Sequence, residues 1–433
     1  MRHAGSAFTR SESRVLGCWT AGQVPAEAVL HQHRSNTIIL LVSPHRHAVS
    51  DATSPDLANL TQVDRAVSLL KRNMVKSLPI VDLSLASSPD TKPEFLRQLK
   101  DAFFKIGFLY LVNHGVEEKA NKLLELSPGL FEVPQEEKDK IDMIKNPHFT
   151  GYTRLGVERT QKKLDLREQY DFGSATTTTY KKGDPEWKQI HGPTAYLPDN
   201  VYPGYQAAVQ EYLDAMSDLS DRMLRLTAES LGLSPDEFDD FKGDMNRLKI
   251  IKYPPPPKDG SALQTSQGVG AHKDSSGMFT YIAQDKVGGL QVLDSEGDWI
   301  DAVPIENSFV VNIAQGFEAL TSGRCQATTH RVVAPSDVTR YSIAYFQGIR
   351  LSLTLDEIRK EQDIINEKLP DLPEDLRRRE RATASEFLDP RYSCFGEAHL
   401  RNRVISHRDV SEVWYPELNK KYVAELEKWT YQI

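Results

Sequence analysis

The sequence predicts an α+β chain whose core is mainly β and whose flanks are helical. Three observations carry that prediction. Strand-like segments crowd into the stretch from Leu248 to about Ile349. Apolar residues at helical spacing precede it, in Glu94–Lys105 and Pro203–Leu231, and follow it, at Leu418, Tyr422, Leu426 and Trp429. Proline, glycine and aspartate clusters separate the segments. With 433 residues, 39% hydrophobic and 26% charged, the chain has an ordinary globular composition. It divides into a disordered N-terminal extension over 1–75, a helix-and-strand region over 76–245, a β core over 246–350 and a helical region over 351–433 that packs on the core.

Composition also excludes several partners. A formal charge of −8 with no basic stripe argues against nucleic acid. The run Ile38–Val42 is far too short to cross a membrane. Cys18, Cys325 and Cys394 are odd in number and far apart, so neither a disulfide framework nor a zinc motif is expected. A reducing, cytoplasmic setting follows. The first 50 residues hold five arginines and two acids, which keeps a mitochondrial leader as a minor alternative. The pairs His31/His33 and His45/His47 lack a third donor and are not expected to hold metal. Nothing in the sequence sets an oligomeric state.

Taken in order, Leu78–Leu83 reads as an apolar strand ended by Ser, Pro and Asp residues. Glu94–Lys105 places Phe95, Leu96, Leu99, Ala102 and Phe103 on one helical face. Gly107–Gly115 is a strand closed by a turn, and His114 at that junction is read as a structural hydrogen-bonding residue. A second helix covers Glu117–Glu132, a third begins in Glu136–Ile144, and Gly151–Arg154 is expected to turn the chain. Leu166–Gly173 alternates as a strand does. Thr176 to Pro203 is a long loop, of the kind that walls a pocket. Ser234-Pro235-Asp236-Glu237 has the residues of a helix start. Pro254–Pro257 must end the strand through Tyr253. Leu355–Arg381 reads as solvated helices broken at Pro370 and Pro373, and the Leu418–Trp429 stripe as a cap on one end of the β core.

The chemistry concentrates at Gly270-Ala271-His272-Lys273-Asp274. On an extended strand His272 and Asp274 share a face and Lys273 points away. One imidazole and one carboxylate form two thirds of a ligand set for Fe(II), and His330, in Thr328–Val332, is the best third donor. Two histidines and a carboxylate on one face of a metal leave the opposite positions open for reactants. By itself His-x-Asp is a weak signal. Its weight comes from the strand Arg340–Phe346 downstream, where Arg340 and Ser342 share a face. A guanidinium matches a carboxylate, so Arg340, Ser342 and Tyr253 are candidates to seat the far end of a dicarboxylic 2-oxo acid chelated to the metal.

In that set of motifs, over Leu78–Ile349, the chain resembles the non-haem Fe(II)- and 2-oxoglutarate-dependent dioxygenases of the isopenicillin-N-synthase-like family. Gly268–His272, Ala283–Asp285 with Val287–Leu290, and Phe395–Glu397 are similar to the ethylene-forming-enzyme-like and fungal biosynthetic branches. The resemblance implies a distorted double-stranded β-helix, or jelly roll, flanked by helices. It implies iron bound by His272, Asp274 and His330, and 2-oxoglutarate held by Tyr253, Arg340 and Ser342. The implied reaction consumes O2 and 2-oxoglutarate, releases succinate and CO2, and hydroxylates, desaturates or rearranges a small organic molecule, in specialised metabolism. Alternatives are an oxidase of the same fold that does not use 2-oxoglutarate, and a catalytically silent binding relative. The chain departs from the family pattern at Gln315, Ser275, Lys273 and Ile251. The substrate pocket is expected to draw on the Gly151-Tyr152 turn, the Thr176–Pro203 loop and inward positions such as Phe346.

Overall fold

A computed structural model describes residues 77–433 apart from 161–162, 244, 262–266, 276, 370–385 and 431–433. Of the first 74 residues it describes only two short paired strands, His31–Gln32 and Ile38–Ile39. The side chains of the histidine pairs, the leader and the rest of the extension expected in 1–75 lie outside the described residues, as do Pro370 and Pro373. Contacts separate Met1–Met74 from Val75–Ile433.

An eight-stranded sheet organises the second unit. Its strands are β1 (Ile80–Asp82), β2 (Phe108–Val112), β3 (Gly151–Thr153), β4 (Glu168–Gly173), β5 (Arg247–Tyr253), β7 (Phe279–Gln284), β10 (Ser308–Ile313) and β12 (Arg340–Phe346). They run in the order β1-β2-β10-β7-β12-β5-β4-β3. A four-stranded sheet is built from β6 (Val269–His272), β8 (Leu290–Leu293), β9 (Trp299–Asp301) and β11 (His330–Val332), in the order β6-β11-β8-β9. Alternation along the strands explains why both faces of the large sheet are covered. Ile282, Val310, Ile251 and Ala344 pack toward Leu290, Val292 and Val332 of the small sheet. Their neighbours Tyr281, Val311, Ile250 and Ile343 face the opposite way, into the helical layer.

That layer is read off the sequence almost to the residue. In α1 (Lys92–Lys105), Phe95, Leu99, Ala102 and Phe103 are buried, with Pro93 and Glu94 in the first turn. In α2 (Glu117–Glu132), Leu123, Leu130 and Phe131 point inward. The third predicted helix shrinks to α3 (Gln135–Lys140), because Asp142 then accepts the Ile144 N–H and starts a separate turn. The longest helix, α4 (Tyr205–Ser230), buries Val209, Tyr212, Met216, Leu219 and Met223 along one stripe. Each such side chain contributes roughly 1.5–3 kcal/mol of transfer free energy, so the stripe fixes α4 on the sheet. Gly232, at φ +76°, turns the chain away after it.

Gly107 marks a tight joint between α1 and β2. Its φ is +74°, and a Cβ there would lie 2.2 Å from the Gln326 carbonyl oxygen and 2.6 Å from Thr328 Oγ1. His114 behaves as expected: Nδ1 accepts the Val116 N–H, and the ring stacks on Phe309 at 4.1 Å.

Three expectations fail. Gly151–Thr153 is an edge strand paired with β4, not a turn; Tyr152 donates to Glu168 across it and fastens it there. Ser234–Glu237 does not open a helix. The Ser234 hydroxyl turns to Asp236 instead of an N–H of a following turn, and only a 3-10 turn at Asp239–Phe241 follows. The C-terminal stripe does not cap the β core. After α5 (Gln315–Leu320) and α6 (Leu355–Lys368) come α7 (Phe395–Ser406), α8 (Arg408–Trp414) and α9 (Pro416–Thr430). Leu418 and Tyr422 of α9 pack with Leu400, Val404 and Val410 of α7 and α8, so it is α7 that reaches the core's open end. The side chain of Trp429 lies outside the described residues.

Candidate active site

β6 and β11 lie side by side, with His272 directly opposite His330. Their rings sit 4.3 Å apart, and Asp274 follows two residues after His272. Asp274 Oδ1 is 3.6 Å from His272 Nε2 and 3.7 Å from His330 Nε2. All three donor atoms fall within 4.8 Å of one another.

Neighbouring groups aim these donors. His272 Nδ1 faces the Gly270 carbonyl at 2.8 Å, and His330 Nδ1 faces the Thr328 carbonyl at 3.1 Å. A ring that donates from Nδ1 presents an unprotonated Nε2, the form a metal needs. The other Asp274 oxygen, Oδ2, accepts from Thr280 Oγ1 at 2.6 Å and Asn312 Nδ2 at 2.7 Å. Oδ1 is thereby left to the two imidazoles. Burial, and then the charge of His272, push His330 down to about 4, so it is neutral near pH 7. Burial raises the Asp274 carboxyl, but His330, His272 and Asn312 outweigh it and hold it well below the usual carboxylate range. Burial lowers His272, yet its contact with Asp274 raises it on balance. Two neutralisable imidazoles and one carboxylate on a single face fit Fe(II).

These donors share a cavity of about 460 Å³ with Arg340, Ser342, Tyr253 and Phe346. Arg340 is 1% exposed. Nη1 donates to Ser342 Oγ at 3.1 Å, Nη2 donates to Gln284 Oε1 at 3.1 Å, and Nε has no partner. Tyr253 meets the guanidinium with its ring, 4.9 Å from centroid to Cζ. Among the described residues no carboxylate pairs with Arg340. A buried cation so placed is costly until an anion joins it, and the distal carboxylate of 2-oxoglutarate would match it in charge and shape.

The chain matches the family model described as non-haem dioxygenase in morphine synthesis N-terminal over residues 78–199, and that of the 2OG-Fe(II) oxygenase superfamily over 245–349. It is 38% identical to a 2-oxoglutarate-dependent dioxygenase of Dothideomycetidae sp. (strain 11243), over 79% of this chain and 93% of the relative. The chain belongs to the 2-oxoglutarate- and Fe(II)-dependent oxygenases. A second member of this superfamily, a homoarginine-6-hydroxylase of Arabidopsis thaliana, is 33% identical over 68% of this chain and 82% of its own length. A full-length Neurospora crassa oxygenase crystallised with alpha-KG and thymine superposes with a TM-score of 0.55 at 27% identity, covering 65% of this chain and 88% of that one. The protein is accordingly an oxidoreductase that uses iron, 2-oxoglutarate and O2 on a jelly-roll fold.

Of the positions the sequence offers for the oxygenase's substrate pocket, Phe346 lines the cavity and the other two segments do not. Neither Gly151-Tyr152 nor the Thr176–Pro203 loop lines the cavity. Tyr152 is committed to Glu168, and the loop runs elsewhere through its own 3-10 turn at Glu186–Ile190. The walls come instead from Glu158–Thr160 and Arg167, from β5, and from α7 and the turn after it, through His399, Arg403 and His407. Part of this was legible: Arg247, Lys249, Ile251 and Tyr253 alternate on β5, so two charged residues had to share Tyr253's inward face. Nothing in the sequence announced Thr280, Asn312 or Gln284 as props for Asp274 and Arg340. Of the departures, Lys273 pairs with Glu318 at 3.2 Å, and the Gln315 N–H caps the Asp274 carbonyl at 2.9 Å. Both brace the strand end without entering the donor set.

Proposed function

We propose that His272, Asp274 and His330 hold the iron, that Arg340, Ser342 and Tyr253 seat the distal carboxylate of 2-oxoglutarate, and that the chain hydroxylates, desaturates or rearranges a small organic molecule in specialised metabolism. The observation that carries this reading is the coexistence, in one cavity, of three convergent donor atoms and a buried guanidinium with no carboxylate partner among the described residues. Iron bound there would couple O2 activation to the decarboxylation of 2-oxoglutarate. The protein's own part is positional. Thr280 and Asn312 hold the Asp274 carboxylate, the Gly270 and Thr328 carbonyls hold the imidazoles, and Arg340 fixes the co-substrate's far end. Ile251, Ile282, Ala344 and Val332 make an apolar wall that limits water beside the reacting centre. The names of the relatives, a homoarginine hydroxylase and a thymine complex, support a small polar substrate. No helix among the described residues is long and apolar enough to cross a membrane.

Anaerobic titration of the protein with Fe(II) and 2-oxoglutarate tests the assignment. A weak visible charge-transfer band is expected, and it should vanish in Asp274→Ala. A protein that binds iron but shows no band and forms no succinate with any candidate substrate would refute it.

A further inference from the structure

Two ends of the cavity can be told apart by register. On β5 the inward residues run Tyr253, Ile251, Lys249, Arg247, a span of about 20 Å at 3.3 Å per residue. Tyr253 pairs across the ladder with Arg340, and Arg247 with Phe346. Phe346 pairs in turn with Thr280, whose hydroxyl holds Asp274. Thr280, which props Asp274, therefore stands nearer the Arg247 end of the ladder than the Arg340 end, and Arg247 lies six residues along β5 from Tyr253, the partner of Arg340.

Charge at that end does not balance. Arg167 pairs with Glu158 at 2.9 Å and with Asp165 at 3.3 Å. Lys249 pairs with Asp171 at 3.3 Å and stands 3.7 Å from Glu158. Those two cations share Glu158, Asp165 and Asp171. Arg247, buried, donates to the carbonyls of Phe149, His148 and Ile190 and among the described residues has no acid in an ion pair. Arg403 lines the cavity from α7, and among the described residues its guanidinium has neither hydrogen bond nor ion pair. One turn before it on α7, His399 shares the wall, and its buried Nδ1 has no partner. The two guanidiniums repel each other, which adds to burial in lowering Arg247 to about 9; Asp171 draws on both and Glu158 on Arg403, without an ion pair to either among the described residues.

Two adjacent cations left in a cavity, one with its whole donor fork free, are the complement of an anion. We propose that the molecule this oxygenase oxidises carries a carboxylate, and that Arg403 binds it, with Arg247 behind, at the end of the cavity away from Arg340. The inference rests on the function proposed above and adds the substrate's chemical class. It makes Arg403 a substrate-anchoring residue, and the site of oxidation a carbon held at the metal donors by that anchor.

The test uses the full chain with Fe(II) and a panel of small organic acids, each paired with its primary amide. Ligand-observed NMR reads binding, and succinate reads turnover. Hits are expected among the acids, with each amide weaker by roughly ten- to a hundred-fold, the worth of a charge-assisted hydrogen-bonded pair. Arg403→Gln should raise KM for an acid by a similar factor, and Arg403→Lys should recover part of it. Hits that are neutral or cationic, or an acid whose KM moves less than twofold in Arg403→Gln, would overturn the inference. If Arg403→Gln does not fold, the acid–amide comparison on the wild type decides alone. Absence of the Fe(II)–2-oxoglutarate band in the wild type defeats the proposed function itself; a band without acid preference defeats only this inference.

Discussion

At the Arg340 end of the cavity and at the metal donors, the side chains that matter stand on strands or within two residues of one. Each is held by a ladder partner or a neighbour: His272 faces His330, Arg340 faces Tyr253, and Thr280 and Asn312 reach Asp274 from adjacent strands. At the Arg403 end the walls come from the segment before β4, the start of β5, and α7. Those residues hold one another by charge, in the Glu158–Arg167–Asp165 and Asp171–Lys249 contacts. The first end is specified by backbone register, which tolerates little change. The second is specified by contacts between ions, which a few substitutions can reset.

The largest expected effect breaks the register-built end outright. Asp274→Ala or His330→Ala should abolish iron binding, measured by metal analysis, and bring succinate formation to background. Arg340→Gln should retain iron but raise KM for 2-oxoglutarate by roughly a hundred-fold, the scale of losing one partner of a buried charge pair. Titrating 2-oxoglutarate at fixed iron separates the two cases.

Asn312→Ala sharpens the comparison further. It removes one of two hydrogen bonds to Asp274 Oδ2 and touches no reactant. Iron affinity should fall by about 10- to 100-fold, as outer-shell changes do, with KM for 2-oxoglutarate little altered once iron is saturating. An unchanged iron affinity would show that Thr280 alone aims the carboxylate.

How much of this the sequence discloses follows the same division. His272-x-Asp274 and Arg340-x-Ser342 are legible because two-residue spacing on a strand is local information. α1, α2 and α4 are legible because a 3.6-residue apolar stripe is too. Gly151–Thr153 was misread as a turn because its strand character comes from pairing with β4, which no local pattern encodes. Two of the expected pocket segments, Gly151-Tyr152 and Thr176–Pro203, are misplaced for a related reason. Arg403 and Glu158 come to line one cavity only when α7 packs against the core, which no local pattern in Phe395–Ser406 encodes.

The smallest expected effect is a control away from both ends. Glu361 lies on α6, and burial, with the nearby Glu237 carboxylate, raises its carboxyl to about 7. The unfolded chain titrates near 4.5, so between roughly pH 5 and 7 the folded protein holds the extra proton and stability falls as pH rises. Glu361→Gln should melt roughly 2–6 °C above the wild type at pH 8 and match it near pH 5. Iron affinity and KM for 2-oxoglutarate should not move. A melting difference that is independent of pH would remove the raised carboxyl as its cause.

The glycine at the α1–β2 joint bears on all of this from a distance. A methyl group on Gly107 would press on Thr328, whose carbonyl orients the His330 ring. Random mutagenesis scored for loss of bound iron should therefore recover Gly107 variants alongside the three donors, and suppressors of such variants should cluster in the chain just before His330.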